Sequence, residues 1–259
     1  IERLEVPPDQ AASAGRRILA DACVEYGVLL SARDHNDKAA DLLERGQRLL
    51  EQLVADDPAV ENRHALALAC HNRALFLNKK RQFEPARRTY ERAIQLRRQL
   101  LQEDPDEDQY QRELAGSYVN LGALYLGNDQ PTRAREELDR AADMLRQQPL
   151  DIEHRYLLAG IYLNLGLVER QKMPKRAIED FQQARKLWSD LLTEFPAVPD
   201  YRRRTASAHF LLGLQFEAVG QLSQARQELR QYLALSRELL RQAPGVLAHQ
   251  RGISQGLYH

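Results

Sequence analysis

The sequence predicts an all-α solenoid of stacked helix pairs. Three observations carry that expectation: columns of small residues recurring at a near-constant interval, apolar spacings of three and four between them, and the lack of any strand-like stretch. The first column is Ala20, Ala67, Ala115, Ala159 and Ala206, separated by 47, 48, 44 and 47 residues. Seven residues after each alanine stands another small residue: Gly27, Ala74, Gly122, Gly166 and Gly213. A second column, Ala39, Ala86, Ala134, Ala177 and Ala225, is followed four residues on by Leu43, Tyr90, Leu138, Phe181 and Leu229. Small set against large, five times over, is what two helices need to cross at short range, because a side chain on one must fill a hole on the other.

Each element follows from this register. The first helix of a unit is seen in Leu114, Tyr118, Leu121 and Tyr125, and the second in Ala134, Leu138, Ala141 and Leu145, both with helical intervals. Between them lies a turn with helix-starting prolines or breakers in several copies: Pro85, Asn128 to Pro131, Pro174 and Gly220. Pro58, Pro105, Pro149, Pro196 and Pro244 close the units, where a proline ends a helix. Period-2 alternation is absent and β-branched residues are scarce, so no strand is expected. The reading is one repeat domain over residues 1–259, with units at 12–58, 59–105, 106–149, 150–196 and 197–244 and the start of a sixth at 245–259. The 47-residue register continued from Ala206 would stop inside that sixth unit, and the first residue is Ile1, so the sequence reads as a piece of a longer protein.

Composition excludes several classes. Lys+Arg 37 balances Asp+Glu 37, which leaves no overall basic field for nucleic acid. Basic clusters at Lys79 to Arg81, at Lys172, Lys175 and Arg176, and at Arg202 to Arg204 read as solvated helix ends, without the aromatic interleaving that single-strand binding needs. No apolar run approaches the roughly 18 residues of a membrane span, and no signal-peptide core follows Ile1. Cytoplasm is the default expectation for such a chain.

No catalytic constellation stands out, so no enzyme activity, cofactor or metal is expected from this chain. His64 and His71 are seven residues apart and could share a helix face, but as a metal pair they lack a third ligand and read as ordinary half-buried histidines. Cys23 and Cys70 occupy equivalent positions in the first two units and read as small buried hydrophobes. Glycines stand singly at packing positions, with no phosphate loop.

The columns resemble the tetratricopeptide repeat family. The stretch Tyr118 to Tyr125, with Ala134, Leu138, Ala141 and Pro149, is similar to the family's run of aromatic, Leu-Gly, aromatic, alanine, bulky apolar residue, alanine and proline. The resemblance implies a right-handed superhelix of five helix pairs plus the start of a sixth, with a concave wall that binds a peptide or a partner helix. This sequence departs from the family in its longer period, in Glu169 where an aromatic is common, and in a fourth inner turn one residue short. The connector Phe195 to Ala206 is also similar to repeat regions attached to bacterial serine/threonine protein kinases. The alternative role this implies is a regulatory or substrate-docking arm of a larger enzyme.

Two residues before the small column stand Asn72, Asn120 and Asn164, in three consecutive units. Two residues are about 200° on a helix, so these side chains point nearly opposite to the crossing, toward the expected concave wall. Asparagine is a mediocre helix former, and its amide, with one acceptor and two donors, can hold both the N–H and the C=O of an extended peptide. Resemblance to family members with an asparagine ladder assigns that role to Asn72, Asn120 and Asn164, among Val119, Leu163, Phe210, Leu167 and Leu214, with Gly116, Gly160 and Ser207 one turn earlier. Glu25 and Leu211 break the ladder in the first and fifth units. The competing reading is that the three amides bond to neighbouring helices inside the stack. End-to-end association of copies through an open end is a further possibility.

Overall fold

The computed structural model describes residues 8–145 and 151–242, so Pro149, Pro244 and the sixth unit lie outside the described residues. The described residues form ten helices and no strand: α1 (Pro8–Ala32), α2 (Asn36–Asp56), α3 (Val60–Lys79), α4 (Phe83–Glu103), α5 (Asp108–Gly127), α6 (Pro131–Leu145), α7 (Ile152–Glu169), α8 (Pro174–Glu194), α9 (Pro199–Ala218) and α10 (Leu222–Gln242). In chain order they fall into the five expected pairs. Contacts divide the chain into two compact units, 1–129 and 130–259, with the division inside the inner turn of the third pair. The first unit holds α1 to α5, each packed on the next; the second holds α6 to α10 in the same way.

The small-against-large column is the crossing itself. A Cβ placed on Gly166 would lie 2.6 Å from the Phe181 ring, one on Gly27 would lie 2.8 Å from Leu43, and one on Gly213 would lie 2.9 Å from Leu229. The small columns Ala67, Ala115 and Ala159 are fully buried, as are Ala39, Ala86, Ala134 and Ala177. Phe181, Trp188 and Tyr90 are the largest side chains the core encloses. Burial of each such side chain contributes about 1.5–3 kcal/mol.

The inner turns of the first, second, third and fifth pairs share one backbone device. Asp34, Arg81, Asp129 and Gly220 occupy the left-handed region, with φ of 60°, 56°, 55° and 77°. In the first, second and fifth pairs the next N–H reaches back to the last turn: His35 to the Leu30 carbonyl, Gln82 to Leu77, Gln221 to Phe216. This is the helix stop that a left-handed residue makes possible. The fourth pair, one residue shorter, has no such residue and turns instead through a Met173 N–H bond to the Glu169 carbonyl at 2.8 Å. Pro131 and Pro174 are the first residues of α6 and α8, as expected for prolines at a helix start.

The opposite end of several pairs is clasped by an arginine on the first helix. Arg16 bonds Asp56 at 2.6 Å, Arg63 grips Glu103 with both terminal nitrogens at 2.5 and 2.6 Å, and Arg155 grips Glu194. Arg202 lies 3.6 Å from Glu238. Such rim pairs contribute about 0–1 kcal/mol each, far less than the apolar crossing. The crossing therefore dominates, and Gly166→Leu should destabilise the protein by about 1–3 kcal/mol through overpacking against Phe181. Chemical denaturation measures this, and an unchanged midpoint would show that the crossing has room to spare.

Candidate functional site

Asn72, Asn120 and Asn164 lie on the first helices of the second, third and fourth pairs and are all half-buried. Residues four and seven positions apart share a helix face, and on α3 this groups Asn72 with Leu68 and Leu75, which are 43% and 41% exposed. On α7 the same face carries Gly160, Asn164 and Leu167, and nothing lies within 4 Å of a Cβ placed on Gly160.

The three amides are not equivalent. Those of Asn72 and Asn164 make no hydrogen bond among the described residues. That of Asn120 is engaged, with its side-chain nitrogen 3.3 Å from His71 Nε2 on α3. The apolar members are half-covered by their own stack. Leu163 and Leu167 pack with Phe181 and Leu212, Leu163 also with Trp188, and Phe210 lies against the Tyr232 ring of its partner helix at 5.0 Å. Val119 and Leu214 are half-buried as well.

His71 belongs to a polar seam between the second and third pairs. At its centre is Arg97 of α4, 2% exposed. One terminal nitrogen of Arg97 donates to the Glu113 carbonyl at 3.0 Å, to the Ser117 hydroxyl and to His71 Nδ1 at 3.1 Å, while its Nε lies 3.2 Å from the Glu113 carboxylate. Because Arg97 donates to Nδ1, the imidazole hydrogen sits on Nε2, and the Asn120 amide meets it as an acceptor once turned over, with its oxygen in the place of the nitrogen. Burial and then the charge of Arg97 hold His71 neutral, with its pKa lowered to about 3. Burial opposes the charge of Glu113, but the bond from His64 at 2.9 Å, Arg97 and Gln109 outweigh it and bring that carboxyl down to about 2.

The expectation for Arg202 to Arg204 needs correction. Arg202 is buried, donating to the Pro196 carbonyl at 2.9 Å, and the Arg204 guanidinium lies over the rings of Tyr156 and Trp188, at 5.1 and 5.7 Å. Only Arg203 of the three is an exposed helix-end charge, paired with Asp200. Lys79 is exposed and bonds Asp34 at 2.7 Å and the Ser31 carbonyl at 2.6 Å. Cys23 and Cys70 are buried free thiols, and burial pushes Cys70 up to about 12. Among the described residues no group of three or more His, Cys, Asp or Glu could hold a metal ion, and no helix is long and apolar enough to cross a membrane.

Within each compact unit the helices pack on one another in chain order, with small residues such as Gly27, Gly166 and Gly213 at the crossings. Residues 67–100 match the family model of the tetratricopeptide repeat. The fold is that of tetratricopeptide repeats. Among solved structures, the tetratricopeptide-like repeats of a putative kinesin light chain from Podosopora anserina are 18% identical, covering 87% of this chain and 98% of that one, with a TM-score of 0.57. BtubC from P. vanneervenii is 16% identical over 91% of this chain and 93% of its own, with a TM-score of 0.58. The Rap conjugation gene regulator of plasmid pLS20, solved in complex with the Phr* peptide, is 14% identical over 91% of this chain and 61% of its own, with a TM-score of 0.61. No curated protein is significantly similar in sequence.

The tetratricopeptide match begins at Ala67 and ends at Leu100, so the surplus of the longer period falls in the first turns of α3 and beyond the last buried turn of α4. The polar seam had a signal in the sequence: Arg97 stands in the column of Leu50, Leu145 and Trp188, all fully buried. A charge placed where the register demands a large apolar side chain must bring its partners with it. The seam makes a prediction about stability. Asn120→Ala strips the His71 N–H of its acceptor and should cost about 1–3 kcal/mol. Asn72→Ala and Asn164→Ala should stay within about 0.5 kcal/mol. Thermal melts of the three variants test this, and equal losses would place all three amides inside the stack.

Proposed function

We propose that this chain is a protein-interaction scaffold that holds a peptide or a partner helix along the exposed faces of its first helices, with no catalysis of its own. The observation that carries this is the pair of unengaged, half-exposed amides, Asn72 beside exposed Leu68 and Leu75, and Asn164 beside Gly160. Each amide offers donors and an acceptor to a peptide backbone, and the neighbouring surface offers apolar contact and a close approach. The peptide held by the Rap regulator, a protein of similar fold, supports the reading. Balanced charge argues against nucleic acid as the ligand. Asn120 joins the ladder only as a member shared with His71.

The test is the affinity of Asn72→Ala and Asn164→Ala for a peptide partner isolated with the wild-type protein. Loss of a pair of hydrogen bonds, each worth about 0.5–1.5 kcal/mol, weakens binding roughly 5- to 150-fold. The melting midpoint should hardly move. Unchanged affinity in both variants would remove the groove reading. The kinase-arm alternative rests on the connector Phe195 to Ala206 alone and would be favoured by a kinase-like sequence in the full-length gene product.

A second reading, association of copies end to end, is favoured by α1. Ile18 and Leu29 are 70% and 58% exposed, while their equivalents on α3, Ala65 and Phe76, are buried by the preceding pair. The opposite end falls in the sixth unit, outside the described residues. Light scattering against concentration should show mass rising above 29.8 kDa, with Ile18→Glu restoring the monomer. A monomer at high concentration discards the idea.

A further inference from the structure

The asparagine column begins on α1 with an acid. Glu25 stands in the first pair where Asn72 stands in the second, and α1 packs against α3. Glu25 is exposed and has no hydrogen-bond or ion-pair partner among the described residues. Other charges along this face are answered: Asp21, one turn before Glu25, is bonded by Arg17 at 2.9 Å, and Lys79, two turns beyond Asn72 on α3, bonds Asp34 at 2.7 Å. Apolar surface lies in the same register. Val28, one turn after Glu25, is 40% exposed, much as Leu68 and Leu75 are on either side of Asn72. The face shared by α1 and α3 thus offers one unanswered carboxylate, one unengaged amide and three exposed aliphatic side chains.

The spacing of the helices selects the backbone that can use both. Packed helices lie about 8–10 Å apart. A β-strand returns a side chain to the same face every two residues, at about 6.6 Å, and overshoots at four residues, at about 13 Å. A polyproline II helix returns one every three residues, at about 9.3 Å. Of the two, only the polyproline II helix sets successive side chains of one face over α1 and then over α3. Its backbone makes no internal hydrogen bonds, which leaves an N–H and a C=O for the Asn72 amide.

Resting on the binding role proposed above, we infer that the ligand is a polyproline II peptide carrying a basic residue three positions from a bulky apolar one, the cation meeting Glu25 on α1 and the apolar side chain lying between Leu68 and Leu75 on α3. Glu25 selects for charge and the two leucines for bulk. Val28 receives the methylene stem of the lysine or arginine, whose charged head stays at the Glu25 carboxylate. An acidic residue in the same position would meet Glu25 with like charge and be rejected.

The experiment measures binding of the full chain to two fluorescein-labelled peptides, Ala-Lys-Pro-Ala-Leu-Pro-Ala and the same residues in reverse order, because both chain directions satisfy the spacing. Each is compared with a copy in which glutamine replaces lysine and with a copy in which leucine is moved one position toward lysine. In at least one direction the glutamine copy should bind the wild type about two- to fivefold more weakly, the range of one exposed ion pair. The shifted-leucine copy should bind about tenfold more weakly. Glu25→Gln removes a charge that has no partner in the fold, and it should bind the lysine and glutamine peptides equally. A lysine preference that persists in Glu25→Gln, or no preference in the wild type, overturns the inference, as does the absence of binding by every peptide at about 1 mM. Asn72→Ala separates this from the groove reading itself. If Asn72→Ala weakens every peptide while the lysine preference is absent, the groove stands and the charge selection falls. If it leaves every affinity unchanged, the groove reading falls and this inference with it.

Discussion

The close crossing of paired helices is the constraint on which the rest depends. Gly27, Gly166 and Gly213 admit Leu43, Phe181 and Leu229 to distances that no Cβ would tolerate, so each of these pairs has one depth and one rotation at which its helices fit. Fixing that rotation also fixes what each first helix turns toward solvent. A residue two positions from the crossing then points away from it without any further instruction. The outward face of each first helix is therefore a consequence of core packing.

Charged residues inside the seams modify this apolar plan without replacing it. Arg97 stands in a column that the first, third and fourth pairs fill with Leu50, Leu145 and Trp188, Glu169 in one that the other pairs fill with Leu30, Leu77, Tyr125 and Phe216, and each is met by partners from neighbouring helices. Replacing such groups by hydrocarbon would often cost nothing in stability. What they add is discrimination: the second pair fits the third through Arg97, His71, Glu113 and Ser117, a combination found at no other described seam. Five near-identical pairs could otherwise stack in the wrong order, and unlike seams oppose that.

Most of the fold was legible because the register repeats. The helix pairs, the closing prolines at Pro58, Pro105 and Pro196, and the short fourth turn all follow from counting residues. The contents of the seams were not legible, because a hydrogen bond such as His71 to Asn120 joins residues 49 apart, and periodicity gives the column of a residue but not the neighbour that reaches it. The burial of Arg202 escaped for a related reason: a run of three arginines reads as one solvated cluster, yet successive helix positions lie about 100° apart and meet different surroundings. Glu169 was visible as a departure from its column. Its partners, Arg135 and Arg176, come from the helices on either side and carry no mark in the register.

The division among the three asparagines has a specific cause. His71 is the one residue of its column able to form a hydrogen bond; the other pairs carry Val24, Val119, Leu163 and Phe210 there. An asparagine reached by that histidine is drawn into the seam, and one not reached by it keeps its amide free. Arg97 reinforces the outcome, since by filling His71 Nδ1 it leaves the ring's remaining hydrogen directed at Asn120. A single polar substitution in an apolar column thus engages one of the three amides as a structural tie, while those of Asn72 and Asn164 make no hydrogen bond among the described residues.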